Sequence, residues 1–227
     1  MSNKKMLVLT ALLLLGLMGP FFGPVPKYLL ANMDIRTATG WQVLLFFVPL
    51  GIIMGVLWSW MQKNGRTLGD LGWRQPSTWK AMILGLLVGL FWGALGASSY
   101  LMFNPEADLM EVSQLRIVTA LAGASIAILE DLITRGFVMN ELKRLNHSTW
   151  VQVFGSALLF AFYHTAWHFS VASFVFSVVY GLMLSGLFVL GKRSLTPVIL
   201  GHSVALLVGE PFLTLSMMEA LKMVAGG

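Results

Sequence analysis

The sequence contains few charged residues and no cysteine. Only 11% of its 227 residues are Asp, Glu, Lys or Arg, whereas 57% are hydrophobic and the mean hydropathy is +0.78. A soluble domain averages about 25% charged residues, so this chain cannot cover its surface with polar groups, and we expect it to lie in a lipid bilayer. The absence of cysteine excludes disulfides, thiol peptidases and zinc ribbons. The net charge of +5 lacks the basic stripe with interleaved aromatics that indicates nucleic-acid binding, so we expect no nucleic acid as partner.

Apolar runs long enough to span a bilayer take up nearly the whole chain. A spanning helix needs about 20 mostly apolar residues, and seven segments fit: Met6–Phe22, Trp41–Met61, Trp79–Phe103, Leu115–Arg144, Thr149–His168, Val171–Leu190 and Thr196–Leu215. We therefore predict an all-α integral membrane protein, a single domain over residues 1–227 with about seven transmembrane helices and eight as the alternative. The first segment resembles a signal peptide but lacks a small-x-small cleavage site, so we expect an uncleaved helix.

Lysine and arginine are distributed unevenly between the predicted loops. If the N-terminus is cytoplasmic, the inner side carries ten of them: Lys4, Lys5, Lys63, Arg66, Arg74, Lys80, Lys143, Arg144, Lys192 and Arg193. The outer side then carries only four: Lys27, Arg36, Arg116 and Lys222. Because basic loops stay on the cytoplasmic side, we predict a multi-pass protein of the cell (inner or plasma) membrane with its N-terminus in the cytoplasm.

Small residues recur every four positions along the third segment. Gly85, Gly89, Gly93 and Ala97 form a stripe of the kind that lets two helices approach closely in lipid. We predict that this stripe packs against another helix of the same chain, with dimerisation as the alternative. The oligomeric state is left open.

Away from the segment ends, ionisable residues of the apolar segments occur only in the second half of the chain. Each costs about 2.5–3.5 kcal/mol on insertion scales, so each calls for a functional or structural reason. Apart from Lys80, Arg116, Glu141, Lys143 and Arg144 near their ends, the segments contain seven: Glu130, Asp131, Arg135, His164, His168, His202 and Glu210. Their distribution predicts a site built by the second half of the chain and supported by the first half.

Helical spacing assigns different roles to the two adjacent acids. Asp131 and Arg135 are at i,i+4 and can form an ion pair, whereas Glu130 points about 100° away and is predicted to face a cavity. A carboxyl group in an apolar cavity suits a general base near neutral pH. The alternative is a buried ion triad that serves only helix packing.

Two histidines of the fifth segment share a helix face with an aromatic residue. Phe160, His164 and His168 are spaced four apart, and His202 lies about 9 Å into the seventh segment. The His164–His168 spacing is also that of zinc ligands, and Glu130 with His202 would complete a tetrahedral set. A zinc site is therefore kept as an alternative to a site without cofactors.

These three segments, in this order, resemble the CAAX protease and bacteriocin-processing family (CPBP, or Abi) of intramembrane peptidases. The family pattern is Glu-Glu-x-x-x-Arg, then Phe-x-x-x-His, then His-x-x-x-Asn. The matching residues here are Glu130, Asp131, Arg135, Phe160, His164 and His202. The resemblance covers about Leu129 to Gly209. It implies that residues 113–215 are the catalytic core, that residues 1–112 are supporting helices, and that the core forms a conical polar cavity.

The resemblance also implies an activity. Glu130 would activate a water held by His164 and His202, and Asp131, Arg135 and Phe160 would support them, for hydrolysis of a hydrophobic or lipidated peptide or a leader peptide. This chain departs from the pattern at Asp131, which replaces Glu, and at Leu206, which replaces Asn.

The loss of the Asn keeps a second interpretation open: a catalytically impaired member that acts as a peptide-binding, scaffold or bacteriocin-immunity protein. His168 and Glu210 are candidates to compensate for the lost Asn. A proton-coupled transporter is a weaker alternative, because no broken-helix pair or inverted repeat is evident in the sequence.

Overall fold

The protein is an α-helical bundle. The computed structural model describes residues 1–73 and 78–225, and none of these residues forms a strand. The first half contains α1 (Asn3–Leu13), α2 (Pro24–Asn32), α3 (Ile35–Leu45), α4 (Phe47–Lys63) and α5 (Trp79–Leu101). The second half contains α6 (Gln114–Asp131), α7 (Asn140–Arg144), α8 (Thr149–Thr165), α9 (Val171–Leu190), α10 (Thr196–Gly209) and α11 (Phe212–Ala225). Arg74, one of the ten inner basic residues, lies outside the described residues.

Irregular turns join some of these helices into longer units. A π-helix (Leu14–Met18) and a 3-10 turn (Gly19–Phe22) connect α1 to α2, and a second π-helix (Leu132–Met139) connects α6 to α7. Serines begin three helices of the second half, where Ser113, Ser148 and Ser170 each accept a backbone N–H of the first turn. The sequence therefore specifies where these helices start.

Fewer helices than predicted meet the length and hydropathy of a membrane span. Five of those described do: Asn3–Asn32, Ile35–Lys63, Trp79–Leu101, Gln114–Arg144 and Val171–Leu190. A sixth candidate is the pair α10 and α11, which is bent by 63° where the two helices meet. The fifth predicted segment forms α8, which has only 17 residues. The chain is thus all-helical with five or six candidate spans, and the predicted count of seven or eight is not confirmed.

The glycine stripe of α5 packs against α10, as predicted for contacts within one chain. A Cβ at Gly93 would lie 2.7 Å from the carbonyl oxygen of Ala205, and one at Gly89 would lie 2.8 Å from the Cβ of Val204. Real Cβ atoms do not approach other atoms so closely, so only glycine permits this helix spacing. The two helices run parallel, because successive glycines of α5 meet successive turns of α10.

This packing places the start of α10 well inside the bundle. Gly85 packs on Pro197, in the first turn of α10, yet Gly85 lies six residues, or about 9 Å, along α5 from Trp79. Because α10 begins at that depth, His202 in its second turn reaches the level of the acidic residues of α6. Sequence alone left open whether His202 would reach them.

Several basic residues predicted to share one side of the membrane meet at one end of the bundle. The Trp60 indole N–H donates to the carbonyl of Met1 over 3.0 Å, and Arg66 forms an ion pair with Glu141. The Arg144 side chain lies 3.6 Å from the same carboxylate. The N-terminus, the end of α4 and α7 are therefore on the same side. Which side faces the cytoplasm stays a prediction from the loop charges.

The short turn Leu68–Leu71 completes this end of the bundle. Asp70 accepts the Thr67 backbone N–H and a hydrogen bond from Arg144, and together these hold the pKa of Asp70 below its usual value. The backbone N–H of Leu195 donates to the carbonyl of Gly72 over 2.9 Å, which anchors the loop before α10. Contacts at the surface thus help to hold α10 at its depth.

We predict that Gly89→Ala destabilises the protein by about 1–3 kcal/mol, because the added methyl overpacks the contact between α5 and α10. Gly186→Ala on α9 is the matched control, since a Cβ there meets nothing within 4 Å. The control should be neutral or slightly stabilising, as alanine favours helix over glycine. Unfolding of the detergent-purified variants would measure both. Equal stability of Gly89→Ala and wild type would contradict close packing at this stripe.

Candidate active site

Glu130 lies at the meeting point of α6, α8 and α10 and is only 3% exposed. The Tyr163 hydroxyl donates a hydrogen bond to its Oε1 atom. The Nε2 atom of His164 lies 3.7 Å from the same oxygen, and the Nε2 atom of His202 lies 3.5 Å from Oε2. The structure therefore brings together the three residues predicted to carry the chemistry, and it adds a hydrogen bond from Tyr163 to Glu130.

Asp131 is held by a second set of contacts. Arg135 Nη1 pairs with its Oδ1 atom at 3.1 Å, as the i,i+4 spacing predicts, and both residues are fully buried. The other carboxylate oxygen lies 3.2 Å from Nδ1 of His202. The guanidinium also donates to the Thr134 hydroxyl over 2.7 Å and lies 4.5 Å from the Phe160 ring centre. Asp131 thus links the buried arginine to one of the site histidines.

The hydrogen bonds of the two histidines determine where their protons lie. Nδ1 of His164 faces the Phe160 carbonyl at 2.8 Å, and Nδ1 of His202 faces Asp131. Both partners are acceptors, so each Nδ1 atom carries a hydrogen. The Nε2 atom of each ring then faces Glu130, as a lone pair when the ring is neutral and as a donor when it is protonated.

A cavity of about 260 Å³ opens beside this cluster. Its lining differs from the predicted polar cavity of the C-terminal half, because apolar side chains form most of the wall and the first half of the chain contributes Met18, Phe22, Val43, Phe46 and Trp92. Phe22 packs on the His164 ring with 4.3 Å between the ring centres. The polar groups of the cavity include Glu130, His164 and His202 at one end.

The remaining predicted residues take different places. Leu206 lines the cavity one turn after His202, so an apolar side chain occupies the position of the family Asn. Glu210 also lines the cavity and follows the end of α10. His168 lies beyond the last residue of α8, Thr165, so it does not share a helix face with His164 as predicted. The helix ends before the i,i+4 relation can form.

The zinc alternative required His168 next to His164. Within residues 1–73 and 78–225, no three histidine, aspartate or glutamate side chains are grouped so that they could hold a metal ion. The residues present therefore do not fit the predicted tetrahedral ligand set.

Two tyrosines contribute to the site that the sequence did not single out. Tyr163 bonds Glu130, and Tyr180 of α9 lines the cavity with its ring edge-on to His202 at 5.4 Å between centres. Tyr180 is 6% exposed, and its hydroxyl has no hydrogen-bond partner among the described residues. The sequence offers one weak signal for Tyr180: its hydroxyl is a polar group in a segment otherwise rich in Val, Leu and Phe.

Comparison with known proteins identifies part of the chain. Residues 112–208 match the family model described as type II CAAX prenyl endopeptidase, Rce1-like. This region is somewhat less than half of the chain and contains the whole cluster around Glu130. No curated protein and no solved structure matches the sequence.

We predict that Arg135→Met destabilises the protein by about 3–5 kcal/mol, because it leaves the Asp131 carboxylate buried without its cation. The double variant Asp131→Leu, Arg135→Met should be more stable than Arg135→Met alone, since no lone charge stays buried. Arg144→Met is the control: its ion pair with Asp70 is more than a third exposed on both sides, and such pairs contribute at most about 1 kcal/mol. Glu141, which Arg144 also approaches, keeps its ion pair with Arg66 in this variant. Unfolding in detergent measures these variants and the single variant Asp131→Leu, and additive effects at 131 and 135 would contradict the pairing.

Proposed function

We propose that the chain is a member of the Rce1-like type II CAAX prenyl endopeptidase family, whose model matches residues 112–208, and that it is an intramembrane endopeptidase that uses a glutamate-activated water. The observation that carries the proposal is the position of Glu130, whose two carboxylate oxygens face the Nε2 atoms of His164 and His202 beside a cavity. The substrates are hydrophobic, lipidated or leader peptides that reach this cavity from the bilayer.

Glu130 acts as the general base. Its carboxylate takes a proton from a water that His164 orients by accepting the second water hydrogen at Nε2. The water oxygen bonds to the scissile carbonyl carbon, and the carbonyl electrons move to the oxygen. Glu130 then passes its proton to the amide nitrogen, the electrons of the oxyanion re-form the carbonyl, and the C–N bond breaks to release the amine. Such proton transfers contribute about 10²–10⁴ to the rate.

The developing oxyanion needs hydrogen-bond donors. His202 can supply one when its Nε2 atom carries a hydrogen, because that atom lies 3.5 Å from the Glu130 carboxylate. The family Asn would be a second donor, but position 206 is leucine. We assign this second donor to Tyr180, whose buried hydroxyl has no other partner among the described residues.

The mechanism assigned here uses no metal or other cofactor. Metal analysis of the purified protein tests this directly, and stoichiometric zinc that is lost in His164→Ala or His202→Ala would overturn it.

A catalytically impaired protein that binds peptides, as a scaffold or an immunity factor, is the second candidate. Leu206 favours it, because the side chain in the cavity cannot donate a hydrogen bond. The two candidates differ in one result, since only the peptidase requires the Glu130 carboxylate for peptide turnover.

We predict that Glu130→Gln lowers proteolysis by at least about a hundredfold while the protein still inserts and folds. Comparative proteomics of small membrane-associated peptides, in cells with wild type and with the variant, would detect the substrates that accumulate. Glu111→Gln, on an exposed loop, is the matched control and should behave as wild type. Identical peptide profiles for wild type and Glu130→Gln would favour the binding function.

We predict that Tyr180→Phe lowers kcat about 10²–10³-fold with little change in KM, the size expected for one lost oxyanion donor. Leu206→Asn should restore part of this activity in the Tyr180→Phe background. It places a hydrogen-bond donor at the position of the family Asn, one turn after His202 on α10. Single-turnover assays with a peptide found by the proteomics would separate kcat from KM. A Tyr180→Phe variant with full kcat would refute the assignment.

A further inference from the structure

A second carboxyl group lies in the same cavity, away from the Glu130 cluster. Glu210 is 6% exposed and directly follows α10, two residues beyond the region that matches the family model. Its Oε1 atom accepts a hydrogen bond from the Thr214 hydroxyl at 3.0 Å. Its Oε2 atom is buried and has no hydrogen-bond partner among the described residues.

Among the described residues, small and apolar ones surround this carboxyl group and provide no cation to pair with it. Gly123 leaves the space for it, since a Cβ at that glycine would lie 3.3 Å from Cγ of Glu210 and 3.2 Å from Cβ of Leu206. Leu206, Leu213 and Met217 contribute apolar side chains to the same wall. The lining side chains that the structure describes include no lysine and no arginine.

An unpaired acceptor in an apolar cavity is costly unless a donor reaches it. Under the proposed function a peptide occupies this cavity, so the substrate itself can bring the donor. A basic side chain suits the site best, because it supplies both the hydrogen bond and the charge, and their attraction is strengthened where water is excluded.

We propose that Glu210 is a substrate-binding residue that selects peptides with a lysine or arginine near the cleavage site; this inference rests on the proposed function. The distance between Glu210 and His202 sets the position of the basic residue in the peptide. Glu210 lies eight residues after His202, or about 12 Å along the helix axis. An extended peptide advances about 3.3 Å per residue, so the basic residue lies about three to four positions from the scissile bond.

Substrate binding by Glu210 differs from the role predicted from the sequence, in which Glu210 compensates for the lost Asn. A compensating residue would act on every substrate alike, because each one forms the same oxyanion. A substrate-binding residue acts only on peptides that carry the basic side chain. The two roles therefore predict different patterns across a set of peptides.

The test uses quenched-fluorescent hydrophobic peptides and the full-length protein in lipid nanodiscs. One lysine is moved along the peptide, and each peptide is paired with its norleucine counterpart, which keeps the aliphatic chain and removes the charge. We expect wild type to prefer lysine about ten- to hundredfold in kcat/KM at three or four residues from the cleaved bond, the range expected for one charged hydrogen bond. No preference at any position would overturn the proposal without the need for a variant.

Glu210→Gln should reduce the lysine preference to less than about threefold, because the lysine peptides lose much more kcat/KM than their norleucine counterparts. Glu219→Gln on α11, which is partly exposed and outside the cavity lining, is the matched control and should keep the preference. Equal losses for lysine and norleucine peptides in Glu210→Gln would show a role in chemistry or packing and overturn the proposal. So would equal cleavage of lysine and glutamine peptides by wild type, since glutamine donates without charge.

Binding to the Glu130→Gln variant separates this proposal from the proposed function. Fluorescence anisotropy of the same peptides needs no turnover, and lysine peptides should bind about tenfold or more tightly than norleucine peptides. If no peptide is cleaved by wild type but this difference is present, the peptidase function fails and the Glu210 site stands. If peptides are cleaved but bind equally, the Glu210 site fails alone.

Discussion

The burial of two adjacent carboxyl groups inside an apolar helix bundle is the constraint around which this protein is arranged. A buried charge is tolerated only when it is paired and hydrogen-bonded, and the two acids meet this requirement in different ways. Asp131 receives a full cation from Arg135 and a ring N–H from His202. Glu130 receives a tyrosine hydroxyl and faces two histidine nitrogens at longer distance. Asp131 therefore has a cation of its own, whereas Glu130, the proposed general base, has none among the described residues.

Helix packing makes this arrangement possible, because the site is formed by helices far apart in the sequence. The glycines of α5 let α10 approach until backbone and side chain touch, and they set its depth so that His202 reaches both acids. Gly123 does the same on α6, where it makes room for Leu206 and Glu210. Small residues thus serve the site as directly as the polar ones, although none of them takes part in chemistry.

The cavity combines apolar walls with a few polar groups, and two of these groups have no hydrogen-bond partner among the described residues. Tyr180 has a donor and Glu210 an acceptor that no described residue satisfies. A peptide backbone supplies an acceptor as its carbonyl becomes an oxyanion, and a basic side chain supplies a donor. Under the proposed function, one occupant would satisfy both groups: an extended peptide that passes the Glu130 cluster and reaches the end of α10.

The sequence by itself determined that the protein lies in a membrane and is all-helical, and it predicted the cluster of Glu130, His164 and His202. Low charge and long apolar runs require a bilayer, and local spacing was enough to pair Asp131 with Arg135, because i,i+4 contacts depend on one helix alone. The sequence was less reliable where a helix ends. His168 lies past the end of α8, so the predicted histidine face was wrong. The seventh segment is interrupted after Gly209, where α10 and α11 meet at a bend of 63°.

Only the tertiary structure decided the depth of His202, the contact between Tyr163 and Glu130, and the place of Tyr180 and Glu210 in one cavity. These relations join residues from different helices. Their register depends on how closely the backbones pack, and no periodicity within a single segment carries that information.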